Sequence, residues 1–122
     1  KVTAPAAEIS TRETVLQQTV FFSSDSLQIS LYDNGEVDGD IVSVVMNGKL
    51  IIEKERLSTK AVKKTIYAEP GADSIELVMY AENLGSIAPN TGLLVVHDGK
   101  SIYEVRFSGD LQKNASIILK RK

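Results

Sequence analysis

The chain has 122 residues, of which 43% are hydrophobic and 25% charged, a composition typical of one globular domain rather than a disordered chain. Its 16 acidic and 14 basic residues give a formal net charge of −2, and this lack of a basic surplus argues against a nucleic-acid partner. Cysteine is absent, which excludes disulfides, thiolate zinc sites and cysteine nucleophiles, and no apolar run reaches the length of a transmembrane segment.

The first twelve residues differ in composition from the rest of the chain. They are rich in alanine, threonine and serine and contain Pro5. Segments of this kind at a terminus are commonly held loosely. We therefore expect residues 1–12 to form a tether or an edge segment, and residues 13–122 to form a single domain.

From residue 13 onward, apolar and polar side chains alternate with period two, as at Leu27, Ile29 and Leu31, and this pattern indicates β-strands. Asn47 and Gly48 form the dipeptide that is most typical of a tight hairpin turn. Nine strands are predicted, near 13–22, 26–32, 41–46, 49–55, 62–68, 74–81, 92–97, 101–107 and 114–120. Short strands with regular turns favour an all-β fold, an antiparallel β-sandwich of the immunoglobulin-like or jelly-roll-like kind.

The composition of individual strands predicts their places in the sheets. The runs 41–46, 50–52 and 93–96 are apolar on both faces, which favours central strands covered on both sides. Lys63 and Lys64 fall in a less apolar strand and indicate a sheet edge protected by charge.

Strand alternation also predicts which connections lie together. If consecutive strands are antiparallel, the tight turns share one end of the sandwich and the longer connections share the other. The tight turns are 47–48, 70–71 and 98–99, and the longer connections are 33–40, 56–61, 82–91 and 108–113. Long loops on a rigid scaffold commonly carry binding residues.

One of the longer connections is the acidic run DNGEVDGD at 33–40. Carboxylate, amide and backbone oxygens of a glycine-rich loop are the ligands that Ca²⁺ prefers. The run therefore predicts a calcium site whose ligands are Asp33, Glu36, Asp38 and Asp40. It lacks the ligand spacing of an EF-hand, and the same residues are typical of a solvated turn in which Asp and Asn bond their own backbone, so both interpretations remain open.

The connection 82–91 is the second candidate, because a long connection in a compact domain is often functional. We expect it to lie beside the acidic run and to complete the polar rim of a ligand site. The predicted rim residues are Asn34, Glu82, Asn83 and Asn90. In the alternative interpretation, the apolar residues Leu84 and Ile87 close the open end of the core.

No catalytic signature is present. His97 lies beside Asp98, but neighbouring strand residues point to opposite faces and no nucleophile motif accompanies the pair, so a structural or solvent-facing role is favoured. No pair of carboxylates is marked as acid and base by its setting. The sequence thus predicts a non-enzymatic protein, with a small hydrolase built on paired carboxylates as the alternative.

The tyrosines allow one further hypothesis. A tyrosine pair on one exposed face would provide a platform on which sugars stack, although half-buried tyrosines with the hydroxyl in water are the commoner case. The tyrosines that occupy or border strands are Tyr32, Tyr67, Tyr80 and Tyr103.

Two long motifs carry a family resemblance. The runs YDNGEVDGDIVSV at 32–44, followed by MNGK at 46–49, and AENLGSIAPNT at 81–91 resemble a family of bacterial secreted β-sandwich domains with the pattern YDNGxxDGDxVSxxxNG…AENLGxxxPNT. The resemblance covers residues 27–120 and implies an exported domain, anchored to or released from a bacterial envelope, without an established activity. A looser similarity connects the strand pair after Asp40 to calcium-dependent carbohydrate-binding modules, although tryptophan is absent here.

Together, these observations predict an exported, non-enzymatic binding or accessory module of a bacterial cell envelope, in the periplasm, at the cell surface or secreted. Calcium is the expected cofactor if the acidic run holds an ion, and the expected partner is a protein or a polysaccharide. One alternative is a structural or assembly domain that meets another envelope protein through an edge strand or an apolar face. The other is a carbohydrate-binding module.

Overall fold

The computed structural model describes residues 4–33, 39–84 and 90–122. The strands are β1 Glu13–Phe22, β2 Ser26–Asp33, β3 Ile41–Met46, β4 Lys49–Arg56, β5 Val62–Tyr67, β6 Ser74–Ala81, β7 Asn90–Asp98, β8 Ser101–Gly109 and β9 Lys113–Arg121. All nine predicted strands are confirmed, each to within two residues at its ends. The described part of the chain contains no helix that is long and apolar enough to cross a membrane.

The strands form two sheets that pack face to face as a β-sandwich, which confirms the predicted fold class. One sheet has the order β1-β9-β6-β3-β4, and the other has the order β5-β2-β7-β8. The pairs are antiparallel with one exception, because β1 runs parallel to β9. Alternate side chains of both sheets, such as Leu31, Leu77, Leu94 and Ile117, are fully buried between them.

The edges of the sheets test the predictions about individual strands. β5, which carries Lys63 and Lys64, is an edge strand as predicted. The predicted central place of residues 50–52 is wrong, because β4 is also an edge strand. Ile52 is buried in the core, but Leu50 and Ile51 are only half-buried at the side of the sandwich. In this protein, a run that is apolar on both faces therefore belongs to an edge strand, β4, whose outer edge pairs with no described strand.

The β3–β4 turn confirms the hairpin signal in the sequence. Asn47 and Gly48 have φ values of +49° and +84°, and two successive positive φ values are what a type I′ turn requires. The Asn47 side chain also accepts a hydrogen bond from the Glu76 amide at 2.8 Å. The turn is thereby fixed to β6 in the same sheet.

Candidate functional site

The described parts of the longer connections meet at one end of the sandwich, as predicted. The connection 108–113 reaches this end through Arg12, which donates to the Ala81 and Asp110 carbonyls at 2.8 and 3.2 Å. We call this end the loop pole and define it by residues 39–41, 57–58, 82–84 and 90–91. The Leu57 amide donates to the Asp40 carbonyl at 2.8 Å, and the Asp33 amide donates to the Ser58 carbonyl at 2.9 Å. The acidic run thus begins and ends against the connection between β4 and β5.

The acidic run and the segment after β6 lie side by side at the loop pole. The Asn83 side chain spans them, because its Nδ2 donates to the Gly39 carbonyl at 3.0 Å and its Oδ1 accepts from the Ile41 amide at 2.9 Å. Such a two-way amide contact imitates one rung of a sheet ladder. Asn83 therefore fixes the end of the acidic run to the start of the second loop.

Asn90 and Asp40 continue this network in the interior. Each is only 1% exposed. Asn90 Nδ2 donates to the carbonyls of Ile41 and Asn83 at 3.2 and 3.1 Å, and Asp40 Oδ2 accepts from the Thr91 amide at 3.2 Å. These side chains satisfy buried backbone groups, which are costly to leave without partners. The described contacts of the predicted rim amides are thus made to the protein's own backbone.

The predicted calcium ligands divide into two pairs. Asp33 and Asp40 are described, whereas Glu36 and Asp38 lie outside the described residues, as does the predicted rim residue Asn34. Within residues 4–33, 39–84 and 90–122, no group of three or more His, Asp or Glu side chains is arranged to hold a metal ion. The four predicted ligands include residues outside the described part of the chain, and the calcium site stays a prediction.

Glu82 takes part in a different contact. Its Oε2 accepts a short hydrogen bond from Ser43 Oγ at 2.6 Å and another from the Ala6 amide at 2.8 Å. Ser43 Oγ in turn accepts from the Lys54 amide at 3.0 Å. Glu82 thus connects β3 to the N-terminal segment, and through Ser43 it reaches the irregular part of β4.

The N-terminal segment lies over the outer face of the five-stranded sheet near the loop pole. The Arg12 guanidinium stacks 3.8 Å from the centroid of the Tyr80 ring and donates to the Ala81 carbonyl at 2.8 Å. The Tyr80 hydroxyl accepts from the Glu8 amide at 3.1 Å, and Asn114 Nδ2 donates to the Ile9 carbonyl at 3.0 Å. Tyr80 is consequently only 3% exposed and is not part of a surface platform.

The four-stranded sheet carries an open groove on its outer face, which we call the sheet groove. It has a volume of about 520 Å³. It is lined by Tyr32, Asp33, Thr59, Leu93, Val95, His97, Ile102 and Glu104. Apolar side chains lie beside hydroxyl, imidazole and carboxylate groups in this open groove, and the central strand β7 contributes both Val95 and His97.

Strand register explains how these residues come together. Tyr32 on β2 lies opposite Leu93 on β7, and Val95 lies opposite Glu104 on β8. Residues that face each other across antiparallel strands share one face of a sheet. The sequence predicted Asp33 as a calcium ligand and Tyr32 as one tyrosine of a sugar platform. It did not show the strand register that places Tyr32 beside Leu93, although the run 93–96 was visible as apolar on both faces.

His97 and Asp98 separate, as strand geometry predicts. His97 lines the sheet groove, whereas Asp98 is buried and accepts hydrogen bonds from the Ser23 and Ser24 amides, both at 2.9 Å. Burial raises the pKa of the Asp98 carboxyl, but hydrogen bonds from Ser24 and Ser23 and the charge of Lys122 outweigh this and lower the pKa overall. Asp98 therefore anchors the β1–β2 connection as a carboxylate.

Comparison with known proteins adds no family to this description. No protein-family model, curated protein or solved structure matches the chain.

Proposed function

We propose that the chain is a non-enzymatic binding module of a bacterial envelope that holds a neutral carbohydrate in the sheet groove. The observation that carries the proposal is an open groove of about 520 Å³ in which apolar side chains lie beside hydroxyl, imidazole and carboxylate groups. Export to the envelope is part of the proposal and rests on the motif resemblance. The proposed carbohydrate site extends the predicted ligand site from the loop pole onto the adjoining four-stranded sheet. Asp33 belongs to both, because it begins the acidic run and lines the groove.

The chemistry of the groove favours a sugar over a wholly apolar ligand. A pyranose has an apolar C–H face that packs on aliphatic or aromatic surface, such as the side chains of Leu93, Ile102 and Tyr32. Its hydroxyls need acceptors and donors around that face, and His97 and Glu104 lie where they would supply them. Among the described residues, the lining contains His97 but no lysine or arginine, which favours neutral sugars over acidic ones.

The openness of the groove favours binding over catalysis. A hydrolase of the paired-carboxylate kind needs an acid and a nucleophile or base on opposite sides of the scissile bond, in a site that controls water access. Glu104 lies on the outer face of the four-stranded sheet, whereas Asp33 pairs with Gly92 on the core-facing side of β2, so the two carboxylates do not face each other across the groove. Such an arrangement suits a contact surface for part of a longer polysaccharide.

A glycan array of neutral and acidic oligosaccharides, followed by calorimetry on the best ligand, tests the proposal. We expect binding to neutral glycans, and we expect Tyr32→Ala to weaken it about tenfold, which corresponds to about 1.4 kcal/mol. Tyr67→Ala is the matched control, because Tyr67 is 69% exposed but does not line the groove. An array without binding, or equal losses in both variants, would refute the proposal.

A further inference from the structure

The two sides of the sandwich differ in how their sheet edges meet. On one side, edge strands β1 and β8 are joined by Gln17, which is the extra residue at a register shift in β1. Its Nε2 donates to the Ser108 carbonyl at 2.6 Å, and its Oε1 accepts from the Ser108 amide at 2.9 Å. The side-chain amide makes the two hydrogen bonds that a neighbouring strand would make, and the gap between β1 and β8 is thereby closed.

On the other side, edge strands β4 and β5 leave a gap between the two sheets. A cavity of about 270 Å³ lies between β4 and β5, and a second cavity of about 320 Å³ adjoins it beside the β3–β4 turn and the β5–β6 connection, where Glu69 is part of the lining. Both cavities are lined by Met46, Lys49 and Tyr67. Half-buried Ile51 and buried Ile66 form part of the apolar wall. Between residues 49–53 and 63–67, all of which are described, no strand ladder pairs β4 with β5. We call this region the open seam.

Of the two edges, β5 is the better template for another strand. Its pairing with β2 runs without a shift from Val62 to Tyr67, so its outer backbone groups are regularly spaced. β4 instead contains register shifts against β3, and Lys54 has a φ of +43°. An irregular edge disfavours strand addition, whereas the regular edge of β5 is protected by its lysines only against segments that lack acidic side chains. A segment of about six residues would match the length of β5.

Charge identifies the kind of segment that fits. Lys64 lies opposite Ile29, whose side chain is fully buried, so Lys64 belongs to the core-facing side of β5 together with Ile66. Lys49 lies on the facing lip of the same cavity. Among the described residues, neither lysine is ion-paired. Two unpaired ammonium groups beside an apolar wall favour an acidic occupant and disfavour a second copy of this lysine-bearing edge.

We propose that the open seam binds an extended acidic segment of a protein partner, which adds as a strand to β5. An apolar side chain of the segment packs beside Ile66, and a carboxylate two positions away on the same face pairs with Lys64 and Lys49. Backbone hydrogen bonds to β5 supply affinity, and the two side-chain positions supply specificity. This assigns a protein-docking surface separate from the sheet groove.

Fluorescence polarisation with labelled heptapeptides tests the proposal. The probe has leucine and glutamate two positions apart in a threonine background, and the comparison peptide has lysine in place of glutamate. We expect the acidic peptide to bind about fivefold more tightly, since an exposed ion pair contributes up to about that factor. Lys64→Glu should reverse the preference. Lys63→Glu, on the opposite face of the same strand, should leave it in place.

Backbone pairing needs a separate readout. N-methylation of the peptide amides that face β5 should abolish binding, whereas N-methylation of the alternate amides should preserve it. Equal binding of both peptides, or indifference to the position of the methyl groups, would overturn the proposal. So would a dimer of the chain alone in sedimentation velocity that Lys64→Glu disrupts, because the occupant would then be a second copy.

Discussion

Gly92 lies against the Phe107 ring of the neighbouring strand β8 and against Leu57, which leave no room for a side chain, and Gly92→Ala should therefore destabilise the domain. A Cβ at this position would lie 2.4 Å from Phe107 Cζ and 3.0 Å from Leu57 Cδ1, and both neighbours are buried. The Phe107 ring would have to retreat by about 1 Å in a close-packed core. Overpacking of this kind costs about 1 to 3 kcal/mol, while the lower entropy of unfolded alanine offsets about 0.4 to 1 kcal/mol.

The expected net loss is about 1 to 2 kcal/mol in the free energy of unfolding, measured by urea denaturation at equal m-values. A double-mutant cycle with Phe107→Leu isolates the cause, since a smaller side chain makes room for the new Cβ. In the Phe107→Leu background, Gly92→Ala should cost far less. An unchanged urea midpoint for Gly92→Ala, or the same cost in both backgrounds, would refute the steric reasoning.

Two further predictions concern ionised groups. Because the pKa of Asp98 is lowered below its ordinary value of 3.8, its carboxylate stabilises the fold above that pH, and the contribution is lost as pH falls through the lower folded pKa. Asp98→Asn should therefore lower the free energy of unfolding by about 1 to 3 kcal/mol at pH 7, and its difference from the native chain should shrink below pH 4. A difference in urea midpoints that stays constant with pH would contradict this. Ca²⁺ at a hundredfold excess over its dissociation constant should add about 2.7 kcal/mol, seen as a rise of several degrees in Tm that chelator reverses and an equal concentration of Mg²⁺ does not reproduce. Identical melting curves with Ca²⁺ and with chelator would remove the calcium site.

The strands were predictable because their signals are local. Period-two alternation and the dipeptide Asn47-Gly48 depend only on neighbouring residues, and both correspond to observed elements. The alternation of connections between two ends followed from strand count alone, which is how residues 39–41 and 82–84 could be placed together. The loop pole was therefore within reach of sequence reasoning.

The choice of strand neighbours was not predictable in this way. Alternation shows which face a residue occupies but not which strand lies beside it, so the parallel β1–β9 pair and the edge position of β4 left no local signal. For the same reason the sheet groove could not be predicted, because Tyr32 and Leu93 are distant in sequence and meet only through the β2–β7 register. The sequence also could not show whether the side chains of Asn83 and Asn90 point to solvent or into the protein, since an exposed and a buried Asn look alike in sequence.

The contacts at the loop pole also change the meaning of the two long motifs. Their described polar members Asp40, Ser43, Glu82, Asn83 and Asn90 bond the chain to itself. A motif whose polar groups hold the backbone together specifies a structural end of the sandwich, and we expect domains with the same motif to share that end irrespective of ligand. Discrimination between ligands should then depend on sheet-groove residues outside both motifs, above all His97 and Glu104, and between protein partners on Lys64 at the open seam.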